Sequence, residues 1–197
     1  MGGHETIRHT GRRPVALAVA TLAAASLATF GMAVPTAGAA VATKTTNTGK
    51  VTVQEPTVTL LKKGQSKFSP IKSSSKIKAG DTVQTGPTGF AQIAFPDGSL
   101  TRLDHNTVFT LDKLVTKTGE RQVEGTVSAG QTWNRVQKLS DNESFDQGNG
   151  NGATAAVLGT AFVTKCEMPA GGVAFTPIKT KKALKKLRKA TKACNFT

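Results

Sequence analysis

The sequence predicts an all-β domain, built as a roll, a sandwich or a short solenoid, with an apolar helix before it and a short basic helix after it. Three observations lead to this prediction. From Val51 onward, short segments rich in Val, Ile, Thr and Phe alternate with turn residues. An uncharged apolar stretch precedes these segments. A Lys-rich stretch with apolar residues at helical spacing follows them.

The first 39 residues predict an export signal. A basic start that contains Arg8, Arg12 and Arg13 is followed by an uncharged apolar block and by the small-residue sequence Ala37-Gly38-Ala39. We therefore expect cleavage between Ala39 and Ala40. The apolar block, about 20 residues long, is also long enough to span a bilayer, so an uncleaved membrane anchor is the alternative.

The charge narrows the range of partners. The formal net charge is +14, and it becomes +12 after three Arg and one Glu of residues 1–39 are removed. Such a charge favours nucleic acid, anionic lipid or anionic envelope polymer over a neutral ligand. Nucleic acid is the weakest of these, because the lysines are not interleaved with aromatic residues and the chain is expected to be exported.

Composition divides the mature chain into three parts. Residues 40–50 are predicted to be a flexible linker, 51–166 the β-domain, and 167–197 a basic extension with a helix at about 180–193. Within the domain, "QVEGTVSAGQTWNRV" predicts two strands broken at glycines, and 140–152 predicts a long mobile loop. Asp141, Glu143 and Asp146 of that loop lack the spacing of a known calcium loop.

A hairpin is predicted within Phe90–Asp112, around the turn Pro96-Asp97-Gly98. A three-residue loop with Gly98 as a bulge aligns the strands in one of two possible registers. It sets Phe95 opposite Ser99, Ile93 opposite Thr101, and Ala91 opposite Leu103. The other register would place Arg102 on the core face, so the first is favoured.

The polar residues of this hairpin do not predict catalysis. Asp97, Ser99, Asp104 and His105 lie close in sequence. Neighbouring residues of a strand point to opposite faces, so Asp104 is poorly placed to orient His105 as a triad requires. The sequence contains no phosphate loop, paired catalytic carboxylates or nucleophile motif. We expect a protein that is not an enzyme and that needs no cofactor or metal.

The two cysteines, Cys166 and Cys194, are the only ones in the chain. In an oxidising compartment they are expected to form a disulfide. Two separate thiols are the alternative.

The basic helix is amphipathic. Ala183, Leu184, Leu187 and Ala190 share one face, and Thr180 is the predicted N-cap. The apolar face is expected to dock on the β-domain and to be pinned at Cys194. Lys185, Lys186, Arg188 and Lys189 are then expected to point outward and bind anionic polymer. The alternative is that they form an ordinary solvated surface.

Four segments of the β-domain form a pattern by their order and spacing. They are "LLKKGQ", "IKAGDTVQTGPTGFAQIAFPDGSLTRLDHNTVFTLDKL", "VSAGQTWNRVQKL" and "AAVLGTAFVTKC". Together they resemble the FecR domain family of bacterial extracytoplasmic proteins over about residues 50–166. The resemblance implies an extracytoplasmic all-β module with glycines at its corners. It assigns turn-forming or packing roles, and no catalytic role, to ten positions: Gly80, Asp81, Thr85, Asp97, Gly98, Ser99, Asn106, Trp133, Gly159 and Thr160.

The chain departs from the family pattern in two places. Leu158 stands where an Arg usually precedes the Gly-Thr pair. Only about 13 residues precede the apolar block, too few to fold as an anti-sigma segment, so direct control of a sigma factor is not expected.

The expected function is that of an exported, non-catalytic binding or sensing module of the bacterial cell envelope, linked to signal transduction. Its partner would be an envelope component or another extracytoplasmic protein, with no nucleic acid bound and no stable membrane span after cleavage. The alternative is a cell-surface structural protein that binds anionic wall polymer through its basic face.

Overall fold

The computed structural model describes residues 47–149, 153–167, 178–191 and 194–197. The predicted signal segment, its cleavage site at Ala39 and Ala40, and most of the predicted linker lie outside the described residues. Of the linker residues that the structure describes, 47–48 have no regular structure and 49–50 already belong to a strand.

The described residues form thirteen strands and one helix. In chain order they are β1 (Gly49–Glu55), β2 (Val58–Leu61), β3 (Ser69–Ile71), β4 (Ser74–Ile77), β5 (Thr82–Thr85), β6 (Phe90–Ala94), β7 (Leu100–Leu103), β8 (Val108–Val115), β9 (Gln122–Arg135), β10 (Ser144–Gly148), β11 (Thr154–Val157), β12 (Ala161–Cys166), α1 (Lys181–Ala190) and β13 (Cys194–Phe196). The prediction of an all-β domain is confirmed.

The strands join into one sheet whose main path runs β3-β2-β5-β8-β9-β7-β6-β1-β4. Strand β9 divides this sheet into two halves. Its first part pairs with β8 and, in parallel, with β10. Its second part pairs with β7 and β12. We call the half containing β4, β1, β6, β7, β12 and β13 half-sheet A, and the half containing β3, β2, β5, β8, β10 and β11 half-sheet B.

The core lies between the two half-sheets. Val51, Ile93 and Leu103 of half-sheet A and Val83, Phe109 and Leu111 of half-sheet B belong to one buried apolar cluster. Three phenylalanines extend this cluster toward β10 and β12. Phe145 contacts Phe95 and Phe162 edge-to-face, with ring centroids 5.9 and 6.0 Å apart.

The prediction of two strands in "QVEGTVSAGQTWNRV" was wrong, because β9 is one strand of 14 residues. Its glycines allow close packing and bending without ending the strand. The ring of Phe109 lies where a side chain at position 125 would project. Gly130 has a φ of +84° at the point where β9 passes from half-sheet B to half-sheet A.

The prediction of a long mobile loop at 140–152 was also wrong in part. Ser144–Gly148 forms β10, which lies between β9 and β11. Phe145 is 2% exposed, and this one buried aromatic ring ties an otherwise polar segment to the core.

The predicted hairpin and its register are confirmed. Ala91 pairs with Leu103 and Ile93 with Thr101. The turn is closed by the Phe95 amide, which donates to the Ser99 carbonyl at 2.9 Å. Gly98 takes a φ of +85°. The favoured register keeps Arg102 exposed and the apolar residues buried.

The basic helix docks on the sheet, as predicted. Thr180 is its N-cap and accepts a hydrogen bond from the Ala183 amide at 3.3 Å. Leu184 is 6% exposed and packs against Leu61, Val108 and Ala129. The helix ends at Ala190, before the predicted residue 193, and Ala183 is exposed. No helix among the described residues is long and apolar enough to cross a bilayer.

Candidate functional site

Asp97 and Ser99 form a structural hub at the hairpin turn. Asp97 accepts hydrogen bonds from the Ser99 amide at 3.0 Å and from the Ser99 hydroxyl at 2.6 Å. The Ser99 hydroxyl oxygen in turn accepts from the Gln137 amide at 3.0 Å. Ser99 is fully buried, so its oxygen holds two loops together and is not presented to a substrate.

Arg121 connects this turn to the segment that precedes β10. Its guanidinium lies 3.2 Å from Asp97 and 2.9 Å from Glu143, and the side chains of all three residues are largely buried. The Ser140 amide donates a hydrogen bond to the Glu143 carboxylate. This hydrogen bond is the main reason why the pKa of Glu143 lies below its usual range. The Gly119 amide and Arg121 act in the same direction. This cluster fixes loop positions, and it was not predicted from the sequence.

Ser99, Asp104 and His105 do not assemble into a catalytic group. Ser99 precedes β7, whereas Asp104 and His105 follow it. His105 Nε2 lies 3.9 Å from the Asp104 carboxylate, beyond hydrogen-bonding distance. His105 Nδ1 is instead 2.9 Å from the Gly89 carbonyl oxygen. The imidazole thus bridges two turns.

Gly80 and Asp81 pin two further loops. Asp81 is 3% exposed and accepts hydrogen bonds from the Lys63 amide at 2.8 Å and the Lys78 amide at 3.0 Å. Lys62 Nζ lies 3.1 Å from the same carboxylate. Gly80 has a φ of +91°, which brings the chain back under Lys63.

Thr85 and Asn106 meet at a corner of the fold. The Thr85 hydroxyl donates to the Asp104 carbonyl at 2.5 Å and its oxygen accepts from the Thr107 amide at 2.9 Å. Asn106 takes a φ of +54°, a conformation that asparagine tolerates better than most residues. At this corner the Thr85 side chain therefore serves as the hydrogen-bond partner of two backbone groups, the Asp104 carbonyl and the Thr107 amide.

Gly159 and Thr160 lie at the turn between β11 and β12. Gly159 has a φ of +116°, and the backbone of Lys138 occupies the space that a side chain there would need. The Thr160 carbonyl accepts from the Val136 amide at 2.9 Å.

The predicted disulfide between Cys166 and Cys194 is confirmed. The two residues face each other directly in the pairing of β12 with β13. The bond thus anchors the C-terminal strand to half-sheet A. By loop length alone it stabilises the fold by about 3–4 kcal/mol in the chain-entropy model.

Trp133 is not a packing anchor, which corrects the role that the family resemblance assigned to it. Its side chain is 58% exposed on the outer face of half-sheet A. The alternation of β9 explains this, because Thr132 and Asn134 point inward. The amide of Asn134 pairs with that of Gln147 at 2.9 and 3.1 Å, so polar residues fill this part of the interior.

The four cations predicted on α1 do not all share one surface. Lys182, Lys185, Lys186 and Lys189 are exposed at positions that lie together, and we call them the lysine face. Arg188 points toward half-sheet B, with its guanidinium 3.7 Å from Asp112. The spacing of three and four residues that buries Leu184 also places position 188 beside the sheet.

Three carboxylates lie close together on the outer side of half-sheet B. Asp112, Glu124 and Asp146 line one shallow depression there. Burial raises the pKa of Asp112, although the Thr126 hydroxyl and Arg188 oppose the shift. Within the described ranges no group of three or more His, Cys, Asp or Glu has an arrangement that could hold a metal ion.

Comparison with known families identifies part of the chain. Residues 81–174 match the family model described as FecR protein. The match begins at the buried Asp81 and extends past Cys166, and so includes the hairpin, the corner and β9. Neither the curated proteins nor the solved structures contain a significant match to this chain.

Proposed function

Since the chain belongs to the FecR family through its domain at residues 81–174, we propose that it is an exported, non-catalytic binding and sensing module of the bacterial cell envelope. The family match supports a role related to signalling. The proposed partner is another extracytoplasmic protein or an envelope component.

The observation that carries the proposal of export is the disulfide between Cys166 and Cys194. Disulfides form and persist in oxidising compartments and are rare in the cytosol. This bond joins β12, which lies within the matched residues 81–174, to β13, which follows them, and it links two strands that pair directly. The apolar segment and the Ala37-Gly38-Ala39 sequence point to the same compartment.

The proposal of a non-catalytic role is supported by the use of the polar side chains. Four polar side chains of the domain form hydrogen bonds with backbone groups. Those of Asp81, Asp97 and Ser99 accept from backbone amides, and that of Thr85 donates to a backbone carbonyl. Each of them is buried or nearly buried.

The test is to locate the protein in the bacterium that encodes it and to alkylate its thiols before any reduction. We expect an extracytoplasmic protein that begins at Ala40 and has no alkylatable cysteine. Recovery in membranes with an intact N-terminus would support the anchored alternative. Cytosolic protein with two free thiols would overturn the proposal of export.

The signalling part needs a separate measurement. Transcription in a deletion strain is compared with that in strains complemented by the wild-type gene and by a Cys166→Ser, Cys194→Ser variant. We expect the wild type to restore a defined set of transcripts and the variant to restore it less well. Identical transcription with and without the gene would contradict a signalling role.

A second candidate function is supported by the lysine face of α1. Four exposed lysines on one side of the helix suit binding to an anionic wall polymer by a structural surface protein. Changing all four to Gln should release the protein from cell walls, whereas a four-Arg variant that keeps the charge should remain bound. Retention of the Gln variant at the same salt concentration as the wild type would exclude this function.

A further inference from the structure

The outer face of half-sheet A carries a second basic surface, distinct from the helix. The strand registers arrange its residues in two rows that cross six strands. The first row is Lys76, Lys50, Ala94, Leu100, Arg135 and Ala161, and the second is Ser74, Thr52, Gln92, Arg102, Trp133 and Val163. We call these twelve residues, together with Lys165, the Trp133 face.

The charge of this face has one sign. It contains five cations, Lys50, Lys76, Arg102, Arg135 and Lys165, and no acid. The nearest acids at one end of its strands are Glu55, which pairs with Phe90, Asp104, which follows β7, and Glu167, which follows β12. At the other end, Asp97 is largely buried and paired with Arg121. Six strands at the usual spacing make the face about 24 Å wide. Its width and charge suit an extended polyanion rather than a small ion.

Trp133 marks the centre of the recognition surface. It lies directly opposite Arg102 on one side and Val163 on the other, and Arg135 is the next outward residue of β9. These residues, except Val163, line a shallow pocket with Leu100 and Ala161. Arg102 Nε donates to Gln92 at 3.3 Å, which holds the guanidinium over the sheet. An exposed ring is thus flanked by two planar, fork-shaped donors.

This combination selects one class of ligand. A guanidinium binds a carboxylate through two parallel hydrogen bonds. The negative face of an indole attracts the weakly positive C–H groups that point from the face of a sugar ring. A polymer that offers both groups repeatedly is a linear acidic polysaccharide, made of sugar rings that bear carboxylates.

A protein partner fits less well. The only large apolar side chains strongly exposed among the described residues are Trp133 and Leu158. Trp and Arg are common in protein interfaces, but lysine is depleted there, and three of the five cations of this face are lysines. Nucleic acid also combines charge with stackable rings, but the disulfide argues for a compartment without it.

We propose that the Trp133 face binds a linear acidic polysaccharide, with a sugar ring stacked on Trp133 and its carboxylates paired with Arg102 and Arg135. This inference rests on the proposed function, because it takes the module to be an extracytoplasmic binding module. Lys50, Lys76 and Lys165 would attract the rest of the chain without fixing its position.

The chain provides its own reporter for a test. Trp133 is the only Trp, and there is no Tyr, so intrinsic fluorescence reports this face alone. The purified protein with its disulfide intact is titrated with an oligouronate hexasaccharide. Neutral cellohexaose, a poly-glutamate peptide and oligothymidylate serve as comparison ligands. We expect a saturable change in Trp133 emission with the oligouronate, weaker at high salt, and little or none with the others.

Two variants with the same loss of charge locate the site. Arg102→Gln with Arg135→Gln should weaken oligouronate binding about tenfold or more. Lys63→Gln with Lys67→Gln, which removes two exposed charges from the loop between β2 and β3, should change it less than about twofold. Trp133→Ala lacks the fluorescent reporter, so its binding is measured by retardation in gels that contain polyuronate. This variant should lose binding while its circular dichroism stays unchanged.

The opposing outcomes are distinct. Equal weakening by both double variants would show that binding follows net charge only. Equal or tighter binding of the peptide or the oligonucleotide would replace the polysaccharide by that ligand class. An emission change with protein concentration alone would assign the face to a second copy of this chain. Failure of the oligouronate to bind a protein shown to be extracytoplasmic would overturn this inference and leave the proposed function standing.

Discussion

Asp81 is a single carboxylate on which two loops of this fold depend. It is 3% exposed, and two backbone amides and one ammonium group surround it. Removing the carboxylate leaves two partly buried donors without their acceptor, which costs more than the hydrogen bonds themselves contribute. We expect Asp81→Ala to lower the free energy of unfolding by about 3 kcal/mol.

Urea denaturation with the disulfide intact measures this effect. Asp141→Ala is the matched control, because Asp141 is an exposed carboxylate in a turn. Its substitution should change stability by less than about 0.5 kcal/mol. Similar values for the two variants would show that Asp81 does not organise the loops.

Two glycines with nearly equal φ angles separate backbone strain from close packing. Gly64 has a φ of +87° with open space where a Cβ would lie. Gly130 has a φ of +84°, but a Cβ there would lie 2.4 Å from Thr107 Oγ1. Gly64→Ala should cost only the strain of the left-handed conformation, about 1 kcal/mol.

Gly130→Ala should cost at least about 2 kcal/mol more than Gly64→Ala, because the corner at Thr107 has to open. Thermal or urea unfolding of the two variants in parallel measures the difference. Equal losses would mean that the corner yields easily and that β9 can shift past it.

Residue roles that depend on local chemistry could be predicted from the sequence, and those that depend on burial could not. Gly98 and Asn106 adopt positive φ for reasons contained in the turns themselves. Trp133 and Asn134 reverse the usual pattern, with the aromatic ring outside and the amide inside. The partner that makes a buried Asn134 favourable, Gln147, lies on a strand that the sequence did not reveal.

At the scale of elements, strand β10 shows the same limit. The segment that contains it, 140–152, is polar and rich in glycine, which normally indicates a loop. It becomes a strand because β9 and β11 supply hydrogen bonds on both sides and Phe145 supplies a buried ring. The hairpin of β6 and β7 has its turn, its alternation and its pairing within one stretch of sequence, so its register could be predicted.

The helix α1 was also predictable, since its apolar spacing and its cap are both local. Leu184 is the buried residue of the helix, 6% exposed against Leu61, Val108 and Ala129. We expect Leu184→Ala to lower the free energy of unfolding by about 2–4 kcal/mol, the usual range for a buried leucine. Hydrogen exchange should show faster exchange in the helix amides than in the core strands.

Lys185→Ala is the control for this substitution, because Lys185 follows directly in the helix and is exposed. It should change stability by less than about 0.5 kcal/mol. If Leu184→Ala and Lys185→Ala were equally mild, the disulfide and β13 would be the main attachment of the C-terminal segment.

At the scale of the whole domain, charge is divided between the two half-sheets. The outer side of half-sheet A is basic, and the depression on half-sheet B contains Asp112, Glu124 and Asp146. The basic helix lies beside the acidic half, where Arg188 approaches Asp112. This division could not be predicted from composition, because it follows from which face each strand turns to solvent.

The two carboxylates with shifted pKa values should act on stability in opposite directions. The pKa of Glu143 is lowered, mainly by the Ser140 amide, so its contribution is present at neutral pH and is lost as pH falls through the folded-state pKa. The pKa of Asp112 is raised by burial, so its protonation favours the folded state at low pH and this gain is lost as pH rises.

We therefore expect the two neutral variants to change the pH dependence of unfolding in opposite ways. Glu143→Gln should be less stable than the wild type at pH 7 and should lose less stability on acidification below about pH 5. Asp112→Asn should lose more than the wild type over the same range, because it lacks the group that gains a proton on folding. Urea denaturation at a series of pH values measures both slopes. Parallel slopes for the three proteins would show that neither carboxylate links folding to pH, and that the hydrogen bonds around Glu143 persist when it is protonated.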